Sequence, residues 1–114
     1  MARPKVLNGF TAKMNTACGT LYVIVNRDEK NNLKEVFLNL GKSGTCGKAF
    51  MEMAGRLLTH AIRKDVDISA VIKSIKGIRC KDADDERLSC ADAIAQALEI
   101  YLQEKAEDAT KQSI

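Results

Sequence analysis

The stretch Glu35-Val36-Phe37-Leu38-Asn39-Leu40-Gly41-Lys42-Ser43-Gly44-Thr45-Cys46-Gly47-Lys48-Ala49-Phe50 contains the change of period that decides the fold. Val36, Leu38 and Leu40 alternate with Glu35, Phe37 and Asn39, the two-residue period of a half-buried strand. Beyond Gly41 the spacing changes. Phe50, Met53, Ala54, Leu57, Leu58, Ala61 and Ile62 recur every three and four residues, which predicts an amphipathic helix over Cys46 to Lys64. A strand therefore hands over to a helix at a glycine-rich loop near residue 41.

Upstream of that point the chain reads as strands. Leu21-Tyr22-Val23-Ile24-Val25 is β-branched and aromatic, and Phe10, Ala12 and Met14 alternate with Thr11, Lys13 and Asn15. The polar run from Asn26 to Asn32 suits a hairpin loop. Arg3 to Leu7 would add a short edge strand, where Pro4 is tolerated. Downstream the chain reads as helices. Asp67 is a good N-cap for a helix that buries Ile68, Val71, Ile72 and Ile75, and Gly77 stands where such a helix stops. Ser89, with Asp92 three residues on as a variant capping box, opens a third helix. Its apolar face is Ile94, Ala97, Leu98, Tyr101 and Leu102, and residues 103–114 read as a polar tail in which the helix frays.

Strands first and helices afterwards give an α+β domain: an antiparallel β-meander of three or four strands, followed by three helices packed on one sheet face. Residues 1–102 make one domain. Apolar residues are 46% of the 114, a globular composition that excludes a disordered chain. The longest unbroken apolar stretch, Leu21 to Val25, is too short for a membrane-crossing helix, so no membrane partner is expected. The opening Met-Ala-Arg-Pro-Lys lacks the apolar segment of a signal peptide, so the expected location is the cytoplasm, or the host cytoplasm if the chain is viral. Five aromatic residues and no Trp argue against a stacking platform for single-stranded nucleic acid.

The net charge of +3 is unevenly distributed. Residues 1–64 carry 11 Lys/Arg and 4 Asp/Glu, whereas residues 65–114 carry 7 and 11. An anionic ligand therefore prefers the first half; alternatively, the halves attract one another within the chain or across a homo-oligomer. In the first half, Lys42, Ser43, Gly44, Thr45, Gly47 and Lys48 form a strand-to-helix loop whose backbone N–H groups can converge on a phosphate at a helix N-terminus. It is not a Walker A motif, because Lys42 stands where the first glycine is required and Ala49 where the hydroxyl is. Arg56, His60, Arg63 and Lys64 share one helix face and can extend an anion site begun by the loop, or simply face water. The acidic cluster Asp82, Asp84, Asp85 and Glu86 fails the EF-hand pattern at Arg87 and reads as a solvated loop.

Cys18, Cys46, Cys80 and Cys90 include no C-x-x-C pair, which excludes a standard zinc knuckle and a thioredoxin-like motif. Cys46 and Cys90 open helices, where the thiolate is favoured. Small buried thiols and shared metal ligands both remain open on spacing. With one histidine and no nucleophile elbow, hydrolytic chemistry finds no support.

Several motifs agree in order with one family. Arg3-Pro4, Thr16-Ala17-Cys18-Gly19, Leu21-Tyr22-Val23, Glu35-Val36-Phe37, Leu40-Gly41-Lys42-Ser43-Gly44, Gly55-Arg56-Leu57, Gly77-Ile78-Arg79-Cys80 and Ser89-Cys90-Ala91-Asp92-Ala93-Ile94 resemble the TSCPD domain. That domain ends many adenosylcobalamin-dependent (class II) ribonucleotide reductases and also occurs as small free-standing proteins. The chain departs from the naming motif Thr-Ser-Cys-Pro-Asp, reading Leu88-Ser89-Cys90-Ala91-Asp92. The Ser cap and the Asp survive; the Thr hydroxyl and the Pro do not. The resemblance implies a clustered metal site of Cys18, Cys46, Cys80 and Cys90, with zinc as the expected ion, against the rival that the four are buried unliganded thiols.

It also implies no enzyme activity and no cobalamin, since the reductase barrel and its radical cysteine lie elsewhere in the long enzymes. Met1 shortly before the family's Arg-Pro suggests a free-standing chain. The expected function is a small non-catalytic binding protein for a nucleotide or related phosphate-containing ligand, held by Lys42, Ser43, Gly44, Thr45, Gly47, Lys48 and Arg56. A phage-type sponge that sequesters cyclic or ADP-ribose-derived immune signals, built as a homo-oligomer, is compatible with this pattern. Two alternatives stand beside it: an accessory domain acting with a ribonucleotide reductase, and a zinc-stabilised nucleic-acid-binding or structural protein.

Overall fold

Alternation builds the sheet. In a strand successive side chains point to opposite faces, and three segments keep that period: β1 (Asn8–Thr16), β2 (Gly19–Arg27) and β3 (Leu33–Leu40). They pair antiparallel in the order β1-β2-β3, with Ala12 opposite Val23 and Val23 opposite Leu38. The structure, a computed structural model, describes residues 4–17, 19–41, 45–79 and 89–112, the side chains of 45, 46 and 108–112 excepted. Pro4 to Leu7 do not add a strand, so among the described residues the sheet has three.

Thr16 and Gly19 close the first hairpin. The Thr16 hydroxyl donates to the Gly19 carbonyl at 2.6 Å, and Gly19 adopts a φ of 127° that a side chain would resist. The second hairpin is held by Asp28, whose carboxylate accepts from the backbone N–H of Lys30 (2.8 Å) and Asn32 (2.9 Å). A bulge at Asn26/Arg27 precedes it.

Three helices follow: α1 (Thr45–Arg63), α2 (Ile68–Ile75) and α3 (Cys90–Gln112). The α+β class and the meander stand as the sequence suggests. Asp67 caps α2 by accepting from the Ser69 N–H at 3.0 Å, and Gly77, at φ 91°, ends it. The third helix departs from expectation by continuing past residue 102 to Gln112. One reason lies in the sheet: Glu104 pairs with Arg27 at 3.0 Å, which ties the added turns to the end of β2.

Strand side chains Leu21, Val23, Val25, Val36, Leu38 and Leu40 form one wall of the core. Against β1 and β2 lies α3, through Ala93, Ala97, Leu98 and Tyr101. The alanines permit close approach, and Tyr101 donates its hydroxyl to the Asn31 carbonyl at 2.6 Å. The second helix packs on α3, and α1 packs along β3. The opposite sheet face, with Thr11, Lys13, Asn15, Phe37 and Asn39 exposed, is left uncovered by the helices.

The contact of α1 with β3 has its own chemistry. As an edge strand, β3 presents backbone groups without a strand partner. Thr59 answers them: its hydroxyl accepts from the Val36 N–H (3.1 Å) and donates to the Val36 carbonyl (3.0 Å). One turn earlier, Gly55 lets the helix come close. A Cβ there would stand 3.2 Å from the Leu38 nitrogen and 3.3 Å from the Val36 oxygen. The helix thus covers the sheet edge.

Candidate functional site

Among the described residues, α1 is bordered by a groove at its N-terminal end and by another along β3. The first, about 310 Å³, lies at the N-terminal end of the helix. Leu40, Gly47, Phe50 and Met51 line it from the strand-to-helix side, and Ile78, Arg79 and Cys90 from the other. Its lining is mainly apolar. The first turn of α1 carries no acidic residue, so no carboxylate there offsets the partial positive charge of the helix N-terminus. A Cβ on Gly47 would meet the Leu40 methyl at 3.3 Å, so the bare backbone keeps this corner open.

Hydrogen bonds between α2 and α3 fix the far wall. The Asp92 carboxylate accepts from the Gly77 N–H at 2.6 Å, and the Ser89 hydroxyl donates to the Ile78 carbonyl. The same Ser89 oxygen accepts from the Asp92 N–H at 3.0 Å as the cap of α3. The capping box expected of Ser89 and Asp92 is therefore half formed. The serine caps, while the aspartate reaches across to Gly77 instead of back to the Ser89 N–H. This link was not legible in the sequence, because the partner is backbone and leaves no side-chain signature.

The second groove, about 400 Å³, runs between α1 and β3. Arg56, His60 and Arg63 border it from the helix, and Glu35 and Phe37 from the strand. Arg56 pairs with Glu52 at 2.8 Å on the exposed helix face. Glu35 is buried and accepts from the Asn26 amide at 3.0 Å. The expected binding residues are thus divided. Gly47 lines the corner groove, Lys48 is exposed beside it, and Arg56 belongs to the second groove. Thr45 is the first residue of α1, and Lys42, Ser43 and Gly44 lie outside the described residues.

Of the four cysteines, only the Cys90 side chain falls within the described residues. It is half-buried, a free thiol, with Sγ 3.8 Å from the Thr16 hydroxyl. Cys18, Cys80, the Cys46 side chain and the acidic cluster from Asp82 to Glu86 lie outside them. Among the described residues no group of three or more His, Cys, Asp or Glu is arranged to hold a metal. Three described residues close in sequence to the other cysteines lie near Cys90 or along its groove. Thr16 touches its sulfur, and Gly47 and Arg79 line the same groove. Four thiolates are the donor set of a closed structural zinc site.

Among the described residues no helix is long and apolar enough to cross a membrane. No curated protein and no solved structure matches the chain significantly. One family profile does match, that of the TSCPD domain, over residues 1–102. The match spans the three strands, α1, α2 and most of α3, including the Ser89–Asp92 segment that locks onto Gly77 and Ile78. The chain belongs to the TSCPD domain family.

Proposed function

We propose that this TSCPD domain is a non-catalytic binding protein for a nucleotide or a related phosphate-containing ligand, which it holds and releases unchanged. The observation that carries the reading is the open groove of about 310 Å³ at the strand-to-helix corner. It combines an apolar pocket, suited to a base, with the N-terminal end of a helix free of acidic residues in its first turn, suited to a phosphate. Lys42, Ser43, Gly44, Thr45 and Lys48 would supply further donors, Thr45 and Lys48 from within α1. A role in sequestering cyclic or ADP-ribose-derived signals agrees with such a site, as does a homo-oligomer. The exposed Phe50, Met53 and Leu57 on α1 support self-association.

Calorimetry against a nucleotide panel, followed by denaturation and chromatography of the ligand, tests the reading. Saturable binding and recovery of the unaltered compound are expected. Gly47→Ala, which places a methyl in the groove, is expected to weaken binding several-fold while leaving the fold intact. No binding across the panel, or a converted product, overturns it.

A second reading has its own support. Thr16 at the Cys90 sulfur, with Gly47 and Arg79 along the same groove, supports a zinc ion held by Cys18, Cys46, Cys80 and Cys90 as a structural clamp. Elemental analysis of protein purified without added metal is expected to give one zinc per chain. Family membership alone supports an accessory role with a ribonucleotide reductase, which co-purification from the native cell tests.

A further inference from the structure

The groove between α1 and β3 lies apart from the corner described above and has a different character. Arg56, His60 and Arg63 follow one another at four and three residues along the helix, so they stand on one side of it. Arg56 and Arg63 are two turns apart, about 10 Å along the axis. His60 and Arg63 are exposed, and no acidic side chain among the described residues lies within ion-pair distance of Arg63. Phe37 lines the same groove from the strand and is 47% exposed, although it stands in the middle of that strand.

The groove also contains two carboxylates, and their placement decides what it accepts. Glu52 is engaged by Arg56 at 2.8 Å. Glu35 is buried and takes the Asn26 amide from the neighbouring strand. The solvent side is therefore left to Arg63, His60 and the remaining donors of Arg56, whose planar fork suits a phosphate. Thr59 offers nothing further, because its hydroxyl is spent on Val36. What the groove adds to the cations is the ring of Phe37, a stacking surface.

We propose that the α1–β3 groove is a binding site for a phosphate monoester carrying a planar ring. The phosphate sits between Arg56 and Arg63, and the ring stacks on Phe37. The site does not rest on the corner reading, since it shares no lining residue with that groove. A nucleoside monophosphate is the biological form of this chemistry.

His60 is the chain's only histidine, so its ring resonances report on this groove alone. The experiment is an NMR titration of the full chain with phenyl phosphate and, separately, with inorganic phosphate. Phenyl phosphate is expected to move the His60 ring resonances saturably, at a Kd at least about threefold below that of inorganic phosphate. Phe37→Leu, which keeps an apolar strand residue and removes the ring, is expected to bring the two to parity. Arg63→Ala is expected to weaken both about fivefold to tenfold. Arg63 is exposed, so the amide spectrum of this variant should remain that of the folded protein. Unmoved His60 resonances, or shifts that survive Arg63→Ala combined with Arg56→Ala, overturn the site. Equal affinity for the two probes, or no effect of Phe37→Leu, overturns the ring specificity. The Gly47 amide reports on the corner separately, so failure there and failure here are told apart.

Discussion

The carboxylate of Asp92, in the first turn of α3, accepts a hydrogen bond from the backbone N–H of Gly77 at 2.6 Å, across 15 residues of sequence. With the Ser89 hydroxyl on the Ile78 carbonyl, it fastens the end of α2 to the start of α3. The serine and aspartate that this chain keeps from the Thr-Ser-Cys-Pro-Asp motif are the two residues that make these contacts, and neither contact needs the Thr or the Pro. The motif in this chain works as a buckle between helices, and it forms one wall of the corner groove.

Removing the aspartate should loosen the buckle. Asp92→Ala takes away a charged acceptor and a negative charge at the N-terminal end of α3, and is expected to cost about 1–2 kcal/mol. A lowered urea midpoint, with faster hydrogen exchange at the Gly77 amide, checks it. Asp92→Asn keeps an acceptor oxygen and should fall between the two. An unchanged Gly77 exchange rate in Asp92→Ala would show that the bond does not hold the loop.

The edge of the sheet gives a second prediction. Thr59→Val keeps the shape of the side chain but leaves the Val36 N–H and carbonyl unpaired beneath α1, at an expected cost of about 2–3 kcal/mol. Thr59→Ser keeps the hydroxyl and should cost less than about 1 kcal/mol. Gly55→Ala sets two effects against each other. Alanine gains up to about 1 kcal/mol of helix propensity, yet its methyl would press on the Leu38 nitrogen and Val36 oxygen at 3.2 and 3.3 Å. Those atoms belong to a paired strand and yield little, so net destabilisation is expected. Thermal melts of the three variants, ranked Ser above Val and wild type above Gly55→Ala, are the check.

These two residues also mark how far the sequence could be read. The strands and helices follow from periodicity, because one buried face repeats: Val36, Leu38 and Leu40 toward the core, and Ile94, Ala97, Leu98 and Tyr101 across from them. The caps Asp67, Gly77 and Ser89 were legible for the same local reason. Gly55 and Thr59 were not, since a glycine and a threonine inside a helix carry no sign of the strand edge they serve. The extension of α3 to Gln112 escaped because Arg27 and Glu104 are 77 residues apart. At the site, the charged stripe on α1 was visible as spacing. The part that Phe37 plays in the proposed site was hidden, because a ring at an outward strand position reads as an ordinary surface residue.

Two ionisable groups tie stability to pH in opposite directions. The backbone N–H groups of Asn32 and Lys30 hold the Asp28 carboxyl below its ordinary value, with help from the Asn32 side chain and Lys34. The folded state therefore favours the ionised form. That stabilisation is complete above the ordinary carboxylate value and fades as pH falls through the lowered one. Burial pushes the Tyr101 phenol up, against the opposing effects of the Leu33 backbone and Arg27. The folded state favours the neutral phenol, so its contribution holds up to the ordinary tyrosine value near 10 and is lost as pH rises through the raised one. Asp28→Ala should flatten the acid limb of a stability–pH curve, and Tyr101→Phe the alkaline limb. Tyr101→Phe also gives up the hydrogen bond to Asn31, about 1 kcal/mol at neutral pH. Chemical denaturation at a series of pH values reads both.

The outward side of α1 bears on self-association. Phe50, Met53 and Leu57 fall on one stripe, at three- and four-residue spacing, and are 60%, 49% and 62% exposed. They point away from the buried Ile62 of the same helix, so the fold of one chain does not use them. Burying such a stripe against a second copy removes about 1.5–3 kcal/mol of unfavourable hydration for each fully covered side chain, and a helix pair related by a two-fold axis covers all three on both copies at once. Under the proposed homo-oligomer, Leu57→Lys should shift the sedimentation coefficient to that of a monomer while leaving the melting temperature of the diluted protein unchanged within a few degrees. Met53→Leu, which keeps the apolar surface, should leave the assembly intact. A wild-type chain that sediments as a monomer at high concentration would show that the stripe serves another purpose. A Leu57→Lys variant that still assembles would place the interface elsewhere on the molecule.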